Sequence, residues 1–236
     1  MLESVYRAVS NTAVRKDMWV QVPPAAPPPR VVDFVECVAI PPDTTACVDP
    51  RWLGPKYTYL LGLYLGDGMI TLAPRWVFRL RIVLDLKYPG IIERCADAMK
   101  DVSGLAAGTA KKVGCVELYG NWKHWVCAFP QHGPGPKHKR SIVLAAWQLE
   151  LVRAWPGFFV AGLIDSDGCR VMNQVQNRKY SYPRYMFSNT SPEIRAMFGM
   201  ACDLLDVRWR QANSRNLSVA RRESVAILDR HVGPKR

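Results

Sequence analysis

Two stretches of this chain end alike. Leu60-Leu61-Gly62-Leu63-Tyr64-Leu65-Gly66-Asp67-Gly68 and Val160-Ala161-Gly162-Leu163-Ile164-Asp165-Ser166-Asp167-Gly168 are apolar runs with a glycine in the middle and Asp-Gly at the end. Residues four apart share one face of a helix. Gly62/Gly66 and Gly162/Ser166 therefore form small-residue stripes along which two helix backbones can approach. Packed stripe to stripe, the helices bring Asp67 and Asp167 side by side at their C-terminal ends. Carboxylates that close repel unless a cation lies between them. The negative ends of two helix dipoles add to the same demand. Hard ions such as Mg²⁺ suit carboxylate and carbonyl oxygens. Metals bridged across a phosphodiester generate a nucleophile and stabilise the leaving oxygen. The plainer alternative is a buried helix pair whose Asp-Gly ends merely cap and turn into a strand.

The charge balance matches a phosphodiester substrate. There are 32 Lys and Arg against 20 Asp and Glu, a formal net charge of +12. That excess favours a polyanion, either nucleic acid or an anionic membrane surface, over a merely solvated basic surface. With 49% apolar residues in 236 positions, the chain reads as globular rather than disordered. No apolar run reaches bilayer-spanning length, and no secretory signal is visible. The seven cysteines are odd in number and irregularly spaced, so they read as reduced thiols of a cytoplasmic protein. Cys115, Cys127, His132 and His138 lack the close cysteine pair of a zinc finger. They read better as buried thiols and phosphate-contacting histidines.

The elements that must position the two acids follow a repeated order. Residues 1–55 form a Pro-rich arm or linker, with a short helix over 2–14, a polyproline segment near 23–29 and a strand over 31–40. The first half, 56–154, has a helix over 57–66, a strand over 77–85 and a helix over 89–102. Strands near 111–119 and 122–129 and a helix near 141–153 complete it. The second half, 155–236, has a helix over 156–166, a hairpin of 169–176 with 182–189, and a helix opened by Ser191 as N-cap and Pro192. A hairpin of 207–211 with 216–220 and a helix over 223–231 close it. The lengths fit two pseudo-symmetric αββαββα halves in the α+β class.

Both motifs resemble that of the LAGLIDADG homing endonucleases. The second matches closely, and the first has Leu65 where the earlier acid of the motif would stand. Two motifs in one chain resemble the monomeric, pseudo-symmetric branch. The runs 129–138 and 182–185 also resemble LAGLIDADG-like proteins of actinobacteria. The resemblance implies a saddle of two antiparallel sheets on DNA, with the motif helices as the interface between halves. It implies Asp67 and Asp167 as metal ligands, helped by the carbonyls of Gly66 and Ser166. It implies Mg²⁺ or Mn²⁺ as cofactor, with Ca²⁺ binding but not supporting cleavage. It places further site residues at the end of the first hairpin, here Asp85 and Asn189. It places others before the last helix of each half, here Lys139/Arg140 and Arg221/Arg222. Asp165 has no counterpart in the first half and is not expected to hold metal.

Strand alternation nominates the DNA-facing residues. Arg79 and Arg81 lie opposite the apolar side of their strand. Arg170, Gln174 and Gln176 share one side of a strand in the second half, and Arg184 lies on its partner. Arg208, Arg210 and Arg215 belong to the last hairpin, and Lys137 and Arg140 to the densest basic run. Arg and Gln suit bidentate contacts to guanine and adenine, and the cations supply the phosphate term.

Together with these residues, the resemblance implies a monomeric, metal-dependent enzyme that cuts both strands of a long, non-palindromic DNA target across the minor groove, as an intron-homing nuclease would. A non-cleaving DNA-binding regulator on the same fold and an intron RNA maturase are the alternatives. A self-splicing intein is disfavoured, since the terminal nucleophiles of splicing are missing.

Overall fold

The structure, a computed structural model, describes residues 52–175, 180–233 and 235. The expected elements within residues 1–51 lie outside them, as does Gln176. All described residues belong to one compact unit.

Helix α1 spans Pro55–Asp67 and runs directly into β1, Gly68–Ala73. Strand β2 is Val77–Asp85, α2 is Pro89–Ser103, β3 is Gly108–Lys112 and β4 is Cys115–Trp122. A short helical turn α3, Trp125–Ala128, and helix α4, Ala146–Ala154, end the first half. The second half repeats the order with α5 Pro156–Asp167, β5 Gly168–Val175, β6 Tyr180–Ser188 and α6 Pro192–Leu204. It ends with β7 Arg210–Gln211, β8 Asn216–Val219 and α7 Arg222–His231. The two sheets have the same antiparallel order, β1-β2-β4-β3 and β5-β6-β8-β7. The α+β reading with two αββαββα halves is the observed fold.

Local chemistry accounts for the boundaries. Proline stands in the first turn of α1, α2, α5 and α6, where its missing N–H costs nothing. Ser191 caps α6 as expected, its hydroxyl accepting from the Ile194 amide. In β2 the buried Phe78, Leu80, Ile82 and Leu84 alternate with the open side of the sheet.

Four details differ from the sequence reading, the first being that the expected strand near 111–119 is broken by a turn at 113–114, so that its two ends pair as β3 and β4. Strand β1 was not anticipated, because exposed Met69 and Leu72 spoil its alternation. The expected strand over 122–129 is the end of β4 followed by α3: Trp125, Ala128 and Phe129 are all buried, a helical spacing. Residues 141–145 are not helical, and α4 begins at Ala146.

Candidate metal and nucleic-acid site

Helices α1 and α5 pack against each other along their glycines. A methyl group on Gly162 would lie 2.1 Å from the Tyr59 carbonyl oxygen. One on Gly62 would lie 2.6 Å from the Phe159 carbonyl oxygen and 2.7 Å from the Leu163 nitrogen. Backbone therefore touches backbone, which a larger residue would prevent. The stripe ends in a fitted pair: a methyl on Gly66 would meet Ser166 Oγ at 2.2 Å and Asp167 Oδ2 at 2.8 Å. The small residue of one motif thus makes room for the end of the other.

The glycine after each acid has a related reason. Gly68 and Gly168 are extended, not left-handed. A methyl group on them would lie 2.5 Å from Tyr64 Cα and 2.8 Å from Ile164 Cα, respectively. Asp-Gly is what lets a helix pass straight into a strand while its last carboxylate stays at the seam.

Asp67 is exposed and Asp167 half-buried. Crowding by the surrounding protein, then the negative charge of Asp167, pushes the Asp67 carboxyl up to about 6, against the pull of Lys137 and Lys235. Burial also raises Asp167, opposed by Asn189 and the same two lysines. Asn189 Nδ2 donates to Asp167 Oδ2 at 2.6 Å, and its own Oδ1 accepts from the Ser191 amide.

Two clefts flank the seam. One, of about 470 Å³, is lined by Gly66, Asp167, Asn189, Lys137 and Arg215 among others. The other, of about 230 Å³, is lined by Asp67, Ser166, Asp85 and Lys235. In the first, Lys137 Nζ donates to the carbonyls of Tyr64, Leu65 and Gly66, closing the C-terminal end of α1. Burial lowers its pKa to about 8, against the attraction of Asp167 and Asp67. In the second, Lys235 Nζ donates to the Asp165 carbonyl at 3.0 Å.

A buried polar network fixes the loop that carries Lys137. Tyr57 Oη donates to the Ala128 carbonyl at 2.6 Å, and Gln148 Nε2 donates to Tyr57 Oη at 2.7 Å. Gln131 joins Gln148 and donates to the Val143 carbonyl. Arg140 Nη1 donates to the Gln131 carbonyl, so this arginine braces the loop.

Asp165, the extra acid of the second motif, is a cross-strut between the halves. Its Oδ2 accepts from Tyr59 Oη at 2.8 Å and pairs with Arg94 at 2.9 Å.

The nominated basic residues divide. Arg79 Nε donates to Asn121 Oδ1 at 2.8 Å, and Arg79 lies over the Tyr119 ring. Arg81 donates to Thr71 Oγ1 at 2.9 Å. Both stand on the open side of the first sheet. In the second sheet the register opposes Arg170 to Tyr185, Gln174 to Ser181, and Val171 to Arg184. Opposed residues share a face, so Arg170 and Gln174 lie on the face of buried Tyr185, and Arg184 lies on the other. Arg170 makes a two-point contact with Asp229 of α7, at 2.7 and 2.9 Å. Arg208 and Arg210 are exposed on the last hairpin. Lys139, Arg221 and Arg222 are exposed and line neither cleft. Lys137 and Lys235 line the two clefts instead, since loop position alone does not show which lysine turns inward. Nothing in the sequence singled out Lys235, Asn121 or Tyr119.

The donor set fits a hard divalent ion. Asp67 and Asp167 end the two packed helices, the charge of Asp167 adds to burial in raising Asp67, and the nearby backbone offers only oxygen. Among the described residues no three His, Cys, Asp or Glu side chains gather as a metal cluster. The two carboxylates, the Ser166 carbonyl and, once Lys137 moves, the Gly66 carbonyl would hold such an ion. The remaining positions would suit water, as Mg²⁺ prefers.

No protein-family model and no curated protein matches the sequence. Solved structures do. The complex of I-DmoI with DNA and Mn is 15% identical with a TM-score of 0.50, covering 77% of this chain and 98% of that one. The LAGLIDADG meganuclease I-AabMI bound to uncleaved DNA is 12% identical with a TM-score of 0.46, covering 78% and 85%. Full-length DUF199/WhiA from Thermatoga maritima is 14% identical with a TM-score of 0.45, covering 85% and 60%. With its two motifs at the helix seam, this chain has the LAGLIDADG fold. Among the described residues no helix is long and apolar enough to cross a membrane.

Proposed function

We propose that this protein is a divalent-metal-dependent DNA endonuclease that hydrolyses phosphodiesters in both strands across the minor groove. One observation carries the reading: the two motif helices pack backbone to backbone, so their equivalent ends bring Asp67 and Asp167 to one seam, an arrangement of two carboxylates that a cation relieves. The chemistry a divalent ion supplies there is activation of water and neutralisation of charge on the phosphodiester. Asp67 and Asp167 bind that ion, and Asn189 orients Asp167 for it. The open-face residues Arg79, Arg81 and Arg184 contact the duplex, and Arg208, Arg210 and Arg215 add phosphate contacts. The open faces of the two sheets differ, so the target is long and non-palindromic, and one chain suffices to bind it. Mg²⁺ or Mn²⁺ supports cutting, and Ca²⁺ supports binding alone. DNA as substrate places the protein with the nucleoid.

The test is incubation with a randomised plasmid library in Mg²⁺, Mn²⁺, Ca²⁺ or chelator. Linear products confined to Mg²⁺ and Mn²⁺, with a recurring sequence at the ends, are expected. A protein that selects DNA but leaves it uncut in every metal supports the second reading instead, a DNA-binding regulator. Lys137 favours that reading, because its ammonium group already occupies the Gly66 carbonyl.

A further inference from the structure

The seam between α1 and α5 is pseudo-symmetric in backbone but not in side chains. Tyr59, Arg94 and Asp165 form one polar trio across it. Tyr59 and Phe159 lie equally far before Asp67 and Asp167, and so do Leu65 and Asp165. Arg94 and Met197 are each the sixth residue of a helix that begins at proline, α2 and α6. The counterparts of the trio are therefore Phe159, Met197 and Leu65, and all three are buried. Where one half of the seam is apolar, the other holds a carboxylate with no exposed side-chain surface.

Stability does not account for that carboxylate. Its Oδ2 takes both partners, the Tyr59 hydroxyl at 2.8 Å and the Arg94 guanidinium at 2.9 Å. Its Oδ1 is buried with no hydrogen-bond partner among the described residues. A buried ion pair costs desolvation that an apolar set of similar volume avoids, and the equivalent positions of this fold carry such a set. What the trio adds is direction. Both donors come from the first half, Tyr59 from α1 and Arg94 from α2, and the acceptor comes from the second. The guanidinium also lies over the Tyr59 ring at 5.6 Å, which ties the two donors together. Glycine stripes let the helix backbones touch, but they offer no side-chain ridges to stop one helix sliding along the other. A hydrogen bond and an ion pair demand fixed geometry and do stop it. Asp165 stands two residues before Asp167 on the same helix, so the register it fixes is that of the two acids.

We propose that Asp165 is a positioning residue: held by Tyr59 and Arg94, it pins the axial register of α5 on α1 and so sets the spacing of Asp67 and Asp167 for the ion they share. It acts through Asp167 rather than on the ion. Selecting one register of a helix pair is a use to which buried polar groups are put elsewhere. The proposal rests on the cation site of the nuclease reading, and it acts without DNA.

The experiment compares the full chain with the variant Tyr59→Phe/Arg94→Met/Asp165→Leu, which copies the apolar counterpart and leaves the net charge unchanged. Mn²⁺ binding is followed by electron paramagnetic resonance without DNA, and thermal midpoints are measured in chelator. The triple variant should unfold at or above the wild-type temperature, as apolar replacement of a buried ion pair often gives. Its dissociation constant for Mn²⁺ should nevertheless rise about tenfold or more. A residue that only held the fold together would not separate these two readouts. Tyr59→Phe, which changes no charge and keeps the ion pair, should raise the constant about twofold to fivefold. A triple variant that folds and binds Mn²⁺ as tightly as the wild type overturns the proposal. If the triple variant does not fold, wild-type binding by Tyr59→Phe overturns it instead, and weaker binding supports it. A wild type that binds Mn²⁺ but cuts no DNA refutes the nuclease reading alone, and the Mn²⁺ titration still decides the role of Asp165. A wild type that binds no Mn²⁺ overturns both.

Discussion

At the scale of residues, the seam holds charges that a fold would ordinarily keep apart. Asp67 and Asp167 stay close because two lysines partly neutralise them and Asn189 holds one in place. Arg170 shows the contrasting case of a charge given to structure. Its fork on Asp229, joined by the Tyr185 hydroxyl at 2.6 Å, holds α7 to the second sheet. The Arg170 contact, above all, lowers the Asp229 carboxyl below the usual range. A group depressed in this way stabilises the fold above its unfolded pKa, and the benefit is lost as pH falls through the folded value. Asp229→Asn should therefore cost about 1 kcal/mol at pH 7, a modest figure because the pair is partly exposed. The difference from wild type in urea midpoints should be smaller at pH 3 than at pH 7, because the benefit starts to fall once pH drops below the ordinary aspartate pKa. An equal difference at both pH values would contradict the pairing. The two acids were legible in the sequence because Asp-Gly recurs at matched positions. The part played by Arg170 was not, because alternation along one strand cannot say which side faces the helices; only the pairing with β6 decides that.

Elements carry the next level of the account. The α1–α5 seam depends on glycines where backbone meets backbone, so Gly162→Ala, whose new methyl would lie 2.1 Å from a carbonyl oxygen, should destabilise by about 3 kcal/mol or more. Equilibrium unfolding measures it, and a cost near that of a surface substitution would mean that the helices do not touch there. The loop that delivers Lys137 rests on the Tyr57–Gln148–Gln131 network. Tyr57→Phe strips a donor from the Ala128 carbonyl and an acceptor from Gln148. The expected loss is about 1–3 kcal/mol, with faster amide exchange over residues 129–140. Unchanged exchange there would show that the loop is held by other means. The helix stripe, the Ser191 cap and the β2 alternation could be read from sequence because each is a local pattern. Strand β1 and the helical turn α3 could not: one lacks alternation, and the other looks strand-like until its 3–4 spacing of buried residues is seen.

For the whole molecule, the repeated halves place two clefts about one seam beside two sheets rich in arginine. A net charge of +12 predicts that DNA affinity falls steeply with salt, with a log–log slope of roughly −0.9 for each phosphate neutralised. Arg79, already set against Asn121 and Tyr119, should behave differently from a phosphate contact. Arg79→Ala should cost about 1–3 kcal/mol on the selected target and relax preference at one position. Equal weakening on every sequence would make it a backbone contact. The two-half architecture was legible because motif, order and spacing all repeat. The C-terminal lysine at the seam was not, since it reaches the second cleft from a place with no counterpart in the first half. The central claim is that Asp67 and Asp167 together form the cutting site. Its most direct test is the rate of target linearisation in Mg²⁺ by wild type, Asp67→Asn and Asp167→Asn, with each variant shown to bind the target. Both substitutions should lower double-strand cutting at least about a hundredfold while DNA binding persists. Cutting by either variant at the wild-type rate would contradict the account.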